Sequence, residues 1–220
     1  VVIQVGACGI CGTDIHIIDG EFPPTQYPIV PGHEFGGTVV AVGRDVVGVK
    51  VGDRVGVDPT LNCGECYFCQ RGHANLCERW NAVGVGKHPG GFAEYVAVPE
   101  RTVYPIPESM DFKAAALIEP VSCVVHGFHL LQPRVGDTYL IYGAGPMGLQ
   151  NAQVARFNGA STVAIIDINP KRREIARSFG FDIVGSSLDE VRHVAPRGFD
   201  IVIEATGKTK VAEEAINAVI

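Results

Sequence analysis

The sequence predicts a mixed fold, in which an all-β domain is followed by an α/β domain with a parallel sheet. Up to about residue 110, short β-branched runs are separated by glycine and proline, which is typical of a barrel or sandwich. From residue 138 onward, predicted strands alternate with predicted helices, which indicates a parallel sheet. We place the domain boundary between residues 133 and 134, within a Pro-containing linker.

The first domain is predicted from its apolar runs and their turn residues. Its strands are expected at residues 1–5, 36–43, 51–57 and 91–98. From residue 111 to residue 131 the pattern becomes helical. We expect Pro120 to divide this stretch into two helices, because proline breaks a helix interior.

The second domain is predicted from alternating buried-type strands and helices. Strands are expected at 138–142, 162–166 and 199–204, and helices at 147–158, 170–179 and 209–219. The stretch has room for about four strands, whereas such a sheet usually has six. The chain also opens on a strand without a methionine. We therefore expect a piece of a longer protein, cut at both ends and inactive when isolated.

Composition excludes several classes of protein. The formal net charge of −6 argues against a nucleic-acid partner, because phosphate binding depends on Lys and Arg. No apolar run approaches the roughly 18–20 residues that span a bilayer. Seven cysteines are present, but their clustering suits metal binding and no secretory signal is visible. We expect a cytoplasmic protein without a membrane or nucleic-acid partner.

Four of the cysteines form a compact pattern, C-x2-C-x2-C-x7-C, made by Cys63, Cys66, Cys69 and Cys77. Four thiolates complete the tetrahedral shell of a structural zinc and leave no open position. Two disulfides or reduced thiols are the alternatives, but cysteines three apart seldom suit disulfide geometry. A nucleic-acid zinc finger is disfavoured because the loop has no basic face. The pattern predicts a structural zinc ion.

A second metal site is predicted from Cys11 and the pair His33–Glu34. A thiolate, an imidazole and a carboxylate can bind zinc with water in the fourth position. Such a zinc acts as a Lewis acid and lowers the pKa of a bound water or alcohol. A histidine beside a glycine is also typical of a packed turn residue, so these residues alone leave both interpretations open.

These motifs together resemble the zinc-containing medium-chain dehydrogenases. The resemblance is carried by Gly9-Ile-Cys-Gly-Thr-Asp14, by Gly32-His-Glu34 and by the four-cysteine loop, and it covers essentially the whole chain. It implies a GroES-like barrel followed by a Rossmann-type domain. It also implies that Cys11 and His33 bind catalytic zinc, that Thr13 hydrogen-bonds the substrate oxygen and that His16 passes the proton to solvent.

The remaining zinc ligand is left open by the sequence. Glu119-Pro120 resembles the polyol branch of this family, whereas the alcohol branch has a cysteine in this region. Nearby Cys123 is interpreted first as a small core residue on a helix. Glu34 or Glu119 is expected to bind zinc, directly or through water.

A dinucleotide site is predicted from Gly143-Ala-Gly-Pro-Met-Gly148, a G-x-G-x-x-G sequence between a strand and a helix. Its glycines allow a tight turn and close approach to pyrophosphate, which binds at the helix N-terminus. Asp167 ends the next strand, where an acid binds the ribose hydroxyls and disfavours NADP. The basic residues 171–173 argue against this preference for NAD over NADP. Cofactor contacts are expected from Gly143, Gly145, Pro146, Met147, Gly148, Asp167, Arg172 and Thr206, the last two by resemblance.

We therefore expect a zinc-dependent oxidoreductase that transfers hydride from an alcohol or polyol to NAD, with one catalytic and one structural zinc. Threonine, vicinal diols and simple alcohols are alternative substrates, because fold and metal do not fix the substrate. A zinc-free quinone reductase and a non-catalytic zinc module are alternative functions. The resemblance further implies a homo-oligomer, a dimer or tetramer.

Overall fold

A computed structural model describes residues 1–220 and divides into two compact units, Val1–Pro120 and Val121–Ile220. Each unit has its own sheet and its own buried core. No helix in the structure combines the length and the apolarity needed to cross a membrane.

The first unit is built mainly from short antiparallel strands. In chain order these are β1 (Val2–Cys8), β2 (Phe35–Ala41), β3 (Arg54–Val57), β4 (Thr60–Leu61), β5 (Asn81–Ala82), β6 (Tyr95–Ala97) and β7 (Val103–Pro105). Five of them form one sheet in the order β6-β1-β2-β3-β7, and β4 pairs with β5. Ile3, Phe35, Val39 and Val55 are fully buried on one face of this sheet. The prediction of a β-rich first domain is confirmed.

The helices of the first unit differ from the sequence prediction at two points. Helix α1 (Gly12–Ile18) was not predicted. Helices α2 (Phe112–Ala116) and α3 (Ile118–Leu131) are separated at Leu117, so the prediction of a break at Pro120 was wrong. Pro120 lies in the first turn of α3, where a backbone N–H has no partner within the helix and its loss costs little.

The second unit alternates strands and helices. After α3, the elements are β8 (Thr138–Tyr142), α4 (Pro146–Phe157), β9 (Thr162–Ile166), α5 (Pro170–Ser178), β10 (Val184–Gly185), α6 (Leu188–Val191), β11 (Ile201–Glu204) and α7 (Thr209–Ile216). The sheet has the order β10-β9-β8-β11, and every pairing is parallel. The predicted parallel sheet is therefore confirmed.

Most of helix α3 belongs to the second unit. Val124 and Phe128 pack with Tyr139 and Ala155, and the rings of Phe128 and Tyr139 stack with centroids 5.9 Å apart. This packing places the division of the units at residue 120, earlier in the chain than our functional boundary at 133. That functional boundary stays a prediction.

Candidate functional site

The pairing of β1 with β2 determines which residues meet in the first unit. Cys8 pairs with Phe35, so the turn after β1 lies beside the turn before β2. The Gly9 N–H donates to the carbonyl of Glu34 at 2.7 Å and holds the two turns together. Cys11, 22 positions before His33 in the sequence, is thereby brought next to it.

Cys11, His33 and Glu34 form a candidate metal site. One ligand atom from each lies within 4.8 Å of the others, and His33 and Glu34 are buried. A Cβ atom at Gly9 would lie 2.3 Å from Oε2 of Glu34, so glycine leaves the room that this carboxylate occupies. A soft thiolate, an imidazole and a carboxylate suit zinc, so the donor set fits that ion.

Asp14 positions the two turns that carry this cluster, although it was not predicted as a site residue. Its carboxylate is 1% exposed and accepts the Cys11 N–H at 2.8 Å and the Gly32 N–H at 3.3 Å. Its Oδ1 also lies 3.5 Å from Nδ1 of His33. Burial alone would lower the pKa of His33, but a Cys11 hydrogen bond and the Asp14 charge raise it above its ordinary value. The sequence signal that could have identified Asp14 is its position three residues after Cys11, the residue that caps the helix.

We expect Asp14→Asn to weaken zinc binding at this site by about 10- to 100-fold, because Asp14 positions the turns that carry Cys11 and His33 and places a negative charge beside the His33 ring, and loss of such a supporting group typically costs that much metal affinity. The measurement is the zinc retained per chain after dialysis against graded concentrations of chelator. Asp19→Asn, at the exposed C-terminal end of α1, is the matched control. Equal zinc retention in Asp14→Asn and Asp19→Asn would contradict this prediction.

Thr13 and His16 lie on helix α1, which Cys11 caps. The Thr13 hydroxyl oxygen lies 3.6 Å from Sγ of Cys11. His16 follows three positions later, on the same helix face, and its exposed ring contacts Oε2 of Glu21 through Nδ1 at 2.9 Å. The helix thus carries polar side chains from the metal cluster to the solvent-exposed surface, and their roles in proton transfer stay predictions.

Two other ligand candidates lie on α3. Glu119 is in its first turn, and its negative charge contributes to the raised pKa of His33. The three-residue cluster itself contains Glu34. Which carboxylate binds zinc directly stays a prediction. Cys123 is exposed, so the interpretation of this residue as a core residue was wrong.

The four cysteines of the loop also converge. Sγ of Cys63 and Cys69 are 3.9 Å apart, and Sγ of Cys66 and Cys77 are 4.0 Å apart. Sulfurs at about 2.3 Å from a tetrahedral ion lie about 3.8 Å from one another, so this set fits a zinc ion. These separations are far beyond the roughly 2 Å of a disulfide bond, so the disulfide alternative is excluded for this geometry.

Backbone N–H groups of the loop donate to the cysteine sulfurs and stabilise their thiolate forms. The Cys63 N–H and the Arg79 N–H each lie 3.3 Å from Sγ of Cys77. Backbone donors, the Glu65 N–H first, lower the pKa of Cys63 to about 6. Burial raises the pKa of Cys69 to about 12, so this thiol needs the charge of a bound metal in order to ionise.

In the second unit, the glycine turn between β8 and α4 has the shape that its sequence predicts. Gly143 has φ of 98°, in the left-handed region. A Cβ atom at Gly148 would lie 1.7 Å from the carbonyl oxygen of Gly143, so only glycine permits this close helix–strand contact. Gly145 caps α4, and Pro146 occupies its first turn. The start of α4 therefore offers unpaired N–H groups to an anion.

A cavity of about 420 Å³ opens at this turn. Seven of the eight predicted cofactor residues line it: Gly143, Gly145, Pro146, Met147, Asp167, Arg172 and Thr206. The eighth, Gly148, acts through the backbone contact described above. Lys208 also lines the cavity and was not predicted as a cofactor residue. The volume of this cleft and the glycine turn in its wall are compatible with a bound dinucleotide.

Asp167 is a buried acid at the end of β9. Its Oδ2 accepts the Ala144 N–H at 2.8 Å, and its Oδ1 accepts the Asn169 N–H at 2.7 Å. Arg172 approaches Oδ2 at 3.8 Å. Each carboxylate oxygen still has acceptor capacity for a ribose hydroxyl. The backbone bonds fix the carboxylate where it lines the cavity.

Two known family descriptions match this chain. The family description "Alcohol dehydrogenase GroES-like domain" matches residues 1–108, and "Zinc-binding dehydrogenase" matches residues 146–219. The D-arabinitol dehydrogenase 1 of Uromyces fabae is 41% identical over 100% of this chain and 64% of its own length. An L-threonine 3-dehydrogenase of Streptomyces avermitilis is 41% identical over 98% of this chain and 65% of its own length.

Among solved structures, the alcohol dehydrogenase TADH from Thermus sp. ATN1 matches with a TM-score of 0.88 and 33% identity. The match covers 99% of this chain and 67% of that protein. The chain thus spans about 64–65% of the length of the two curated relatives named above.

Proposed function

The chain belongs to the zinc-dependent medium-chain alcohol and polyol dehydrogenase family, and we propose that the whole protein oxidises a polyol with NAD as the hydride acceptor. The observation that carries this proposal is the grouping of Cys11, His33 and Glu34 within one ligand sphere. In a chain that also has a dinucleotide-sized cavity, such a three-ligand site suits catalysis better than structure, because structural zinc sites are closed by four ligands.

The side chains have separate roles in this proposal. Cys11, His33 and a carboxylate would hold a zinc ion, which would supply the Lewis acidity that lowers the pKa of the substrate hydroxyl. NAD, which the glycine turn and Asp167 would hold, would supply the hydride acceptor for oxidation of the substrate alcohol to a carbonyl. The Thr13 hydroxyl would accept the proton of the substrate hydroxyl while passing its own proton onward, and the exposed His16 would release a proton to water. Asp14 would keep the turns at Cys11 and Gly32 in position through their backbone N–H groups.

We propose a polyol as the substrate, with L-threonine as the second candidate. The similarity to a D-arabinitol dehydrogenase and the Glu119-Pro120 sequence favour the polyol. The similarity to an L-threonine 3-dehydrogenase favours the alternative. The test is a screen of NAD reduction, followed at the NADH absorbance band, with pentitols, hexitols, L-threonine, vicinal diols and primary alcohols. Turnover of threonine alone would select the alternative, and no turnover of any of these would contradict the proposal.

We propose NAD rather than NADP as the cofactor because the buried Asp167 carboxylate lines the cavity. Its oxygens can accept both ribose hydroxyls, and its charge repels a 2′-phosphate. Arg172 and Lys208, which also line the cavity, are the residues that oppose this preference.

We expect Asp167→Asn to raise the KM for NAD about tenfold and to improve the use of NADP relative to NAD. Hydrogen bonds to a charged acceptor contribute about 1.5–3 kcal/mol, and about 1.4 kcal/mol corresponds to a tenfold change. Steady-state kinetics with both cofactors measure the effect. Asp189→Asn, on the exposed face of α6, removes the same charge away from the cavity. An unchanged NADP/NAD ratio in Asp167→Asn would contradict the assigned role.

The remaining features of the proposal rest on the family resemblance. We propose that residues 1–133 carry the catalytic zinc and that residues 134–220 bind NAD. We propose two zinc ions per chain, one catalytic and one structural, which elemental analysis of the purified protein tests. We also propose a cytoplasmic homo-oligomer, a dimer or tetramer, whose size light scattering would measure.

A further inference from the structure

The turn after β11 forms one wall of the dinucleotide cavity. Ala205, Thr206 and Lys208 line the cavity from this side. Strand β11 ends at Glu204, which pairs with Tyr142 immediately before the glycine turn. The shape of this wall therefore depends on how the chain leaves β11.

The carboxylate of Glu204 is bound by the turn that follows it. Its Oε1 accepts the Thr206 N–H at 2.6 Å and also the Thr206 hydroxyl. Its Oε2 accepts the Gly207 N–H at 3.2 Å, and the Lys208 N–H contributes as well. Gly207 has φ of 69°, a left-handed conformation that lets successive N–H groups converge on one anion.

These contacts keep Glu204 ionised. Partial burial raises its pKa, but the hydrogen bonds from Thr206, Gly207 and Lys208 outweigh burial and hold the pKa below its ordinary value. A carboxylate that accepts several N–H and O–H groups is bound more firmly than a neutral acceptor would be. The conformation of the turn is therefore fixed by hydrogen bonds within the chain.

We propose that Glu204 is a positioning residue, which fixes the Thr206–Lys208 turn as a preformed wall of the NAD site. This inference rests on the proposed function. The Thr206 hydroxyl donates its hydrogen to Glu204 and accepts the Lys208 N–H at 3.2 Å, so one oxygen lone pair stays available to accept a donor of the dinucleotide. The Thr206 and Gly207 N–H groups before α7 donate to Glu204 and are therefore not available to the pyrophosphate. The N–H groups at the start of α4 remain to bind it.

The test compares NADH binding to the purified whole protein and to its Glu204→Ala, Glu204→Gln and Glu213→Gln variants. Glu213 is exposed on α7 and does not line the cavity, so its variant controls for charge. We expect the Kd of Glu204→Ala to rise about tenfold, which corresponds to a turn that adopts its bound shape in about a tenth of molecules. Glu204→Gln keeps one acceptor oxygen for Thr206, so we expect a smaller rise of about threefold.

A kinetic comparison distinguishes positioning from general destabilisation. We expect the KM for NAD to rise with the Kd while kcat stays within about twofold, since the wall contributes uniform binding to ground and transition states. If Glu204→Ala does not fold, Glu204→Gln decides by the same two measurements. If the unmodified protein binds NADH and both Glu204 variants match Glu213→Gln, this inference alone is wrong. If the unmodified protein binds no NADH, the proposed function and this inference both fail.

Discussion

Replacing Cys11 or His33 by alanine is expected to reduce kcat/KM for the polyol by about three orders of magnitude. Each variant removes one of the three grouped donors and leaves the others too few to hold zinc at a fixed geometry. Lewis acidity at the reacting oxygen contributes several kcal/mol to the lowering of the barrier, and about 4 kcal/mol corresponds to a thousandfold in rate. Steady-state kinetics and elemental analysis of the same preparations measure both effects.

The control for these variants is Cys8→Ser. Cys8 lies three positions before Cys11, at the end of β1, and is outside the ligand cluster. We expect this variant to retain its zinc and its activity within about threefold. The Ala variants should retain one zinc per chain, held by the four-cysteine loop. Two zinc ions and normal activity in Cys11→Ala would refute the assignment of the catalytic site.

The second unit could be predicted well from the sequence because its signals are local. Strands 138–142 and 162–166 were predicted with their observed bounds, since apolar runs were followed directly by turn residues. The glycine turn was predicted for the same reason, because its pattern lies within six residues of sequence, and Gly148 must be glycine to pack against the Gly143 carbonyl. The small strand β10 and the helix α6 were missed because two and four residues give no periodicity to detect.

The first unit was harder to predict because its site depends on strand register. Cys11, His33 and Glu34 meet only because Cys8 pairs with Phe35, and a different register would bring other residues beside the turns that carry them. Nothing in the spacing of these residues fixes that register, so only the family resemblance connected them. Helix α1 was missed for a related reason: its cap is a cysteine and its first residue is a glycine, which are poor helix signals.

Asp14 and Glu204 show a further limit of sequence reasoning. Both are acids that act on the positions of other groups, Asp14 on two ligand-bearing turns and Glu204 on one cavity wall. Their partners are largely backbone N–H groups, whose positions are known only once the fold is known. A pattern search for acids that contact metal or cofactor would overlook both residues.

Replacing Cys77 by serine is expected to produce the largest loss of stability among the proposed variants. Cys77 is buried in the four-cysteine loop, and its sulfur accepts two backbone N–H groups, so the loop depends on this thiolate as well as on the metal. Structural zinc contributes about 10–16 kcal/mol in isolated zinc-binding peptides. If about 5 kcal/mol of this couples to unfolding here, Tm should fall by about 10–20 °C.

Calorimetry with and without a chelator tests this prediction. The chelator should lower the Tm of the unmodified protein much more than that of Cys77→Ser, because the variant has already lost the structural zinc and has only the catalytic zinc left to lose. Cys8→Ser, a thiol outside both clusters, should behave like the unmodified protein. A Cys77→Ser protein with an unchanged Tm would mean that the backbone hydrogen bonds hold the loop without metal.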